Sequence, residues 1–416
     1  MRLLLISLDG LWEGDFPLVE ALPHIGGLLR RGVHCRRVQT VYPALTYPAH
    51  ATLLTGCTPA LHGIGHNQPF LPDVPPEMRP WYWEAGQILR PTLHRLLWEA
   101  GGKTAAILWP TTGKSPHIRW NFPETLALPG ENQACKALRH GSAPWMLAME
   151  LRHGRRRRGI RQPYLDDYAA RLARGLLLSR RPPDFISLHL TDCDAMRHAH
   201  GAKSREAREA IRRLDGRVGL LLEALEKRGI AQNTLVALVS DHGLEDVKKS
   251  VSLEAALQAA GLGEVCRAQS TGMGAFLHLF PQTPETLGRA RVFLEEGREA
   301  LCIRKVYGPR EMALMGAGPG ISLGVEAAPG AAFAQGLPGE KGEKATHGFG
   351  PEHPGAQCLF VLAGPGVRRG AALERARLED VAPTLMAALG RDLPGAQGRV
   401  LTECFQGAEN TESGER

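Results

Sequence analysis

No stretch of this chain approaches the roughly 20 consecutive apolar residues that a helix needs to span a bilayer, so no membrane partner is expected. An export signal is missing as well. The apolar run after Met1 and Arg2 ends within six residues at Asp9 and Gly10, with no small-residue cleavage site behind it. The eight cysteines include no CxxC pair. Without an export signal they read as reduced thiols rather than a disulfide framework. The expected location is the cytoplasm. The basic run 152–161, which contains Arg155, Arg156, Arg157 and Arg158, has no interleaved aromatic residues. It therefore reads as a solvated surface, and it argues against nucleic acid as a partner. No internal repeat is visible.

What remains is an ordinary globular composition, 43% hydrophobic and 22% charged over 416 residues. That is enough for one large α/β domain or two domains. Three apolar runs stand out because each stops at an aspartate. Residues 3–8 precede Asp9, residues 185–190 precede Asp192 and Asp194, and residues 234–240 precede Asp241 and His242. Continuous apolar runs of this length read as strands buried on both faces of a parallel sheet. In such sheets, binding sites form beyond the carboxyl ends of the strands.

The runs alternate with helical patterns at 23–32, 92–100, 164–179 and 204–228. This predicts an α/β fold, three-layer α/β/α, with a mostly parallel central sheet. Between 265 and 342 glycine and proline are dense and the apolar runs are short, which predicts a smaller inserted cap. The expected division is a catalytic core at 1–264 and 343–406, a cap at 265–342 and a disordered tail at 407–416.

Several residues carry the chemistry. Thr46 follows a strand and a turn and stands at the start of a predicted helix. Its hydroxyl there either caps the helix or, held against a metal beside an anion-binding helix terminus, acts as a nucleophile. Asp194 and His198 are spaced to reach one cation from a helical turn, with Asp192 and His200 as rival ligands. Asp241, His242 and Gly243 offer adjacent ligands on a tight turn, and Asp9-Gly10 has the same form. His347-Gly348 adds a late histidine, followed by His353. The aromatic residues Tyr47, Phe70, Trp81, Tyr82, Trp83 and Trp109 either line a leaving-group pocket or pack in the core.

These segments, in this order, resemble the alkaline phosphatase superfamily, and within it the nucleotide pyrophosphatase/phosphodiesterase family. The matching stretches are Leu8-Asp9-Gly10, Thr46-Tyr47-Pro48-Ala49-His50, Thr55-Gly56-Cys57-Thr58-Pro59, His62-Gly63-Ile64, Asn67, Asp194 through His198, Asp241-His242-Gly243 and His347-Gly348. The resemblance implies an alkaline-phosphatase-like fold and two divalent metal ions, expected to be zinc. It assigns Asp194, His198 and His347 to one ion, and Asp9, Thr46, Asp241 and His242 to the other. It makes Thr46 the nucleophile, by way of a phospho-threonine intermediate. Asn67 and the Tyr47 N–H would bind the phosphoryl oxygens.

The implied partner is a small phosphate ester or nucleotide, cleaved by a phosphodiesterase or nucleotide pyrophosphatase. Phosphomonoesterase and phosphonate hydrolase relatives share the ligand set and remain alternatives. The sulfatase branch is disfavoured, since Cys57-Thr58-Pro59-Ala60-Leu61 lacks the arginine of its motif. A reading from another class is a non-catalytic anion-binding protein on the same scaffold.

Overall fold

The computed structural model describes residues 1–334 and 343–407. Six strands build most of its principal sheet: β1 (Arg2–Leu8), β2 (Val33–Gln39), β3 (Thr104–Ile107), β4 (Trp120–Phe122), β5 (Phe185–Leu190) and β6 (Thr234–Val239). From one edge to the other, the sheet runs Ala371–Leu373, β2, Gln357–Ala363, β6, β1, β5, β3, β4. β1 pairs in parallel with β5 and with β6, and β3 pairs in parallel with β5 and β4. The strand Gln357–Ala363 is reversed, antiparallel to both β2 and β6. The sheet is thus mostly parallel.

The alternation of side chains along β1 explains the layers, because successive residues point to opposite faces. Leu4, Ile6 and Leu8 pack with Leu172 of the helix Tyr164–Leu177 and with Ile211, Leu214 and Leu221 of the helix Arg205–Arg228. Leu3 and Leu5 pack with Leu53 and Leu54 of the helix Thr46–Thr55 and with Leu385 of the helix Val381–Ala388. Each such leucine, fully buried, contributes about 1.5–3 kcal/mol. A strand that is apolar on both faces can be satisfied only between two helical layers.

A second sheet of four antiparallel strands runs Ile303–Tyr307, Leu323–Ala327, Gly274–Leu279, Cys266–Ser270. It has its own apolar core, including Leu277, Leu294 and Val325. It meets the principal body through Tyr42, whose ring stands edge-on to Phe276 at 5.6 Å. Of the segment expected as a cap, 335–342 lies outside the described residues. So does the expected tail apart from Gly407. Among the described residues no helix is long and apolar enough to cross a membrane.

The register of the three central strands positions the site. Ser7 of β1 lies opposite His189 of β5 and Val239 of β6. The Asp9 N–H then donates to the Leu190 carbonyl at 3.0 Å. The three strands therefore end level, about 4.8 Å apart, and the aspartates that follow them emerge side by side.

Candidate metal centre

The helix Thr46–Thr55 begins after Leu45, which occupies the capping position in an extended conformation and offers no side-chain acceptor. Thr46 is the first residue inside the helix, so its hydroxyl does not cap it, contrary to the simpler of the two expectations. The hydroxyl instead lies 3.2 Å from Nε2 of His242. The uncapped first turn leaves N–H groups to satisfy. That of Tyr47 donates to Oδ1 of Asn67 at 3.0 Å. The Tyr47 N–H is thus not free for an anion as expected. What the pair presents is the side-chain NH2 of Asn67, a residue whose backbone carbonyl accepts from the Tyr82 N–H at 3.0 Å.

Beside Thr46 the strand-end residues converge. Oδ1 of Asp241 accepts from the N–H groups of Gly10 (3.2 Å) and His242 (3.0 Å), which fixes the carboxylate and leaves Oδ2 without a hydrogen bond. Gly10 is at φ +77°, and a Cβ there would come within 3.0 Å of the Asp194 backbone. Only glycine permits this turn at this distance. Nδ1 of His347 donates to the Ala44 carbonyl at 2.9 Å, leaving Nε2 as its open nitrogen. The rings of His242 and His347 stack with centroids 3.7 Å apart. Nε2 of His198 lies 3.3 Å from Oδ1 of Asp194, and its Nδ1 lies 2.9 Å from Glu343.

Among the described residues, three groups of potential ligand atoms lie within 4.8 Å of one another: Asp194, His242 and His347; Asp9, Asp241 and His242; and His50, His189 and Asp241. The residues that the resemblance assigns to metal, Asp9, Thr46, Asp194, His198, Asp241, His242 and His347, lie in or against this cluster.

The electrostatics are unbalanced. Asp9 Oδ1, Asp194 Oδ1 and Asp241 Oδ2 are buried without a hydrogen-bond partner. Among the described residues, their ion-pair contacts are with histidines alone. Burying carboxylates costs several kcal/mol each unless a positive charge compensates. Burial, aided by the charge of Asp194, pushes the Asp9 carboxyl up to about 6. Burial and the Asp9 charge push Asp241 well above the usual range. Burial also raises Asp194, but His198, His347 and His242 outweigh it and hold that carboxyl low. Burial, then neighbouring imidazoles, keep His242 and His347 below the usual histidine range. Carboxylates without partners beside neutral imidazoles form a donor set suited to divalent cations.

Not every candidate joins the site. Asp192, two residues before Asp194 on the helix Asp192–His200, is turned to the other side and held by Arg213 (2.8 and 2.9 Å) and Arg217 (2.8 Å). His200 is exposed at the end of that helix. His353 bonds to Glu245 and stacks on Phe349 at 4.0 Å. Of the aromatic candidates, Tyr47, Trp83 and Trp109 are buried in the core, while Phe70, Trp81 and Tyr82 are half-buried.

Sequence reasoning missed His50, His189 and Glu124. Nε2 of His189 lies 2.9 Å from Oδ2 of Asp9, and His50 bonds to the Thr46 carbonyl (2.8 Å) and Ser7 (2.9 Å). The signal for His189 is an imidazole inside an otherwise apolar strand. The signal for His50 is its place one helical turn after Thr46.

Known proteins resemble this chain in sequence and in fold. A family model described as Type I phosphodiesterase / nucleotide pyrophosphatase matches residues 3–311. A venom phosphodiesterase of Macrovipera lebetinus is 26% identical over 259 residues, covering 59% of this chain and 26% of the relative. The human ectonucleotide pyrophosphatase/phosphodiesterase family member 1 is 25% identical over 258 residues, covering 58% and 23%. The chain thus spans about a quarter of the length of the curated relatives it matches.

The solved structure of murine ectonucleotide pyrophosphatase/phosphodiesterase 5 superposes with a TM-score of 0.72 at 18% identity, covering 98% of this chain and 100% of that one. An inactive threonine-to-alanine variant of the same murine protein, in complex with AMP, superposes with a TM-score of 0.71 at 18% identity and the same coverage. These superpositions show the fold. The family match runs from β1 through three of the four strands of the second sheet, and this chain belongs to the type I phosphodiesterase / nucleotide pyrophosphatase family.

Proposed function

We propose that this protein is a two-metal hydrolase of phosphate diesters or nucleotide pyrophosphates that works through a phospho-threonine intermediate. The observation that carries the reading is the meeting of three buried carboxylate oxygens without hydrogen-bond partners and the uncapped Thr46 hydroxyl. Asp9, Thr46, Asp241 and His242 would hold one ion, and Asp194, His198 and His347 the other. The mixture of carboxylates and imidazoles, with no cysteine among them, suits zinc. When bound, two divalent ions supply charge stabilisation at both the attacking and the leaving oxygen.

The chain's own residues supply the rest. Thr46 sits at a helix N-terminus, whose partial positive charge favours a negatively charged oxygen. Its Oγ1 forms the new bond to phosphorus while the bond to the leaving oxygen breaks on the opposite side. Water then cleaves the phospho-threonine and returns the hydroxyl. The Asn67 amide, held by the Tyr47 N–H, donates to the phosphoryl oxygens as charge develops on them.

Nucleotide substrates are supported by the AMP complex of the murine neighbour, whose threonine-to-alanine variant is inactive. The eight free cysteines support a reducing compartment, the cytoplasm. The test is Thr46→Ala assayed on an aryl phosphodiester, an aryl monoester, a nucleotide pyrophosphate and a phosphonate, with metal content measured in parallel. The variant is expected to lose about 10³-fold or more in kcat/KM on its best substrate and to keep both ions. Unchanged turnover ends the mechanism. A wild-type preference for the monoester or the phosphonate moves the protein to those branches.

A further inference from the structure

Asp9 is gripped from within the cluster, by a histidine of the neighbouring strand whose ring also lies close to His50 and Asp241. One carboxylate oxygen, Oδ2, lies 2.9 Å from Nε2 of His189, and the other, Oδ1, has no partner. His189 is a fully buried residue of β5, flanked in sequence by Leu188 and Leu190. An imidazole in such a strand costs free energy that an apolar side chain of similar size does not, unless its nitrogens are satisfied.

Both nitrogens have a partner, and the second also faces a carboxylate. Nδ1 lies 3.0 Å from the Leu108 carbonyl and 3.3 Å from Oε2 of Glu124. A carbonyl can only accept, so Nδ1 carries a hydrogen. The Leu108 carbonyl is itself held in an unusual place. Leu108 is a non-glycine residue at φ +54°, a conformation that costs about 1 kcal/mol and persists only where its surroundings impose it. Glu124 lies two residues after the end of β4, and its Oε2 is buried without a hydrogen bond, facing the His189 ring as an ion-pair contact. Three separate segments, after β3, after β4 and within β5, thus converge to fix one imidazole against one oxygen of Asp9.

We propose that His189, braced by Glu124 and the Leu108 carbonyl, is a positioning residue that occupies one oxygen of Asp9 and presents the other as a single-oxygen ligand to the metal site. The proposal rests on the reading of Asp9 as a metal ligand. With Oδ2 withheld, Asp9 would offer a bound ion one oxygen, alongside Thr46. Partners of this kind orient a ligand and tune its affinity, and losing one typically costs about 10–100-fold in metal binding.

The experiment is zinc titration against a chromophoric chelator, reading the two sites separately, on the wild type, His189→Phe, His189→Gln and Glu124→Gln. Phenylalanine keeps a ring but no donor, while glutamine restores a donor near the position of Nε2. His189→Phe is expected to weaken one ion about 10–100-fold and leave the other unchanged. His189→Gln is expected to recover most of that loss, and Glu124→Gln to show a smaller loss at the same ion. Wild-type affinity in His189→Phe overturns the proposal. So does a glutamine variant as weak as the phenylalanine one, because volume rather than the hydrogen bond is then what counts. If His189→Phe does not fold, Glu124→Gln decides, and unchanged zinc affinity there overturns it. A wild-type chain that binds no zinc overturns the metal reading itself, and the wild-type titration alone reveals it.

Discussion

Two clusters of buried charge flank the end of β5, and they are balanced in different ways. Behind the helix Asp192–His200, the carboxylate of Asp192 is met by Arg213 and Arg217, and Arg217 also reaches Asp166 at 3.5 Å and Asp167 at 2.9 Å. The oxygens of Asp166 accept from the N–H groups of Thr191 and Asp192. Burial alone would raise the Asp192 carboxyl, but the two arginines hold it below the usual range. In front of the same helix, Asp9, Asp194 and Asp241 face one another with imidazoles and, among the described residues, with no arginine or lysine among their ion-pair contacts. The rear cluster closes on itself and needs nothing further. The front cluster leaves one oxygen of each carboxylate without a hydrogen bond, open to a cation. Two aspartates two residues apart thus differ in purpose because the helix turns them to opposite sides.

The sharpest way to break this contrast is to neutralise each aspartate in turn. Asp194→Asn is expected to lose one metal ion and about 10²-fold or more in kcat/KM, with little loss of stability in the metal-free chain. Elemental analysis and thermal melts check both halves. An Asp194→Asn variant that keeps two ions would place the ligand elsewhere.

Asp192→Asn should do the reverse. It strands Arg213 and Arg217 and is expected to cost about 3 kcal/mol of stability, measured by denaturant unfolding, while metal stoichiometry is retained. Loss of metal without loss of stability there would erase the distinction between the two clusters.

A gentler probe is pH. In the metal-free folded chain Asp9 titrates at about 6, above its ordinary 3.8. Between those values the folded chain holds a proton that the unfolded chain has released. The Asp9 contribution to stability is therefore present below about pH 4 and is lost as pH rises through about 6. A metal ion replaces that proton. The gap in Tm between zinc-loaded and metal-free protein is expected to widen from about pH 4 to about pH 7. A gap that stays constant contradicts the direction assigned to Asp9.

The smallest effect belongs to a third charged region. Replacing Arg155, Arg157 and Arg158 with glutamine is expected to leave kcat/KM unchanged. Binding of single-stranded DNA, weak and non-specific at most, should show no salt-steep component that the variant removes. A steep salt dependence abolished by these changes would bring nucleic acid back as a partner.

Much of the front cluster is legible in the sequence. An apolar run that ends in aspartate is a strong local signal, and all three runs are strands with buried faces. That the three are neighbours is not legible there, since the order β6, β1, β5 depends on pairings between residues far apart in sequence. The choice between Asp192 and Asp194 turns on helical phase, which spacing to His198 suggests and the arginines behind the helix explain. The capping alternative for Thr46 is off by one position, because helix boundaries are the least certain feature of a sequence reading. Glu124 and Glu343 reach the site from segments outside the helices and strands and carry no pattern of their own. His189 is visible as an anomaly, a polar ring in an apolar strand, but its partner is not.

The central position of β1 has one more consequence, and it concerns order of assembly. Leu3 pairs with both Phe185 and Leu235, so the strand that carries Asp9 is made long before either of its neighbours exists. It has no sheet to join until β5 has left the ribosome, and it stays exposed on one side until β6 follows. Such distant pairings are slow to close. The carboxylates meet only when the middle of the sheet shuts, so the chain first encounters a cation in its site at the end of folding rather than the beginning.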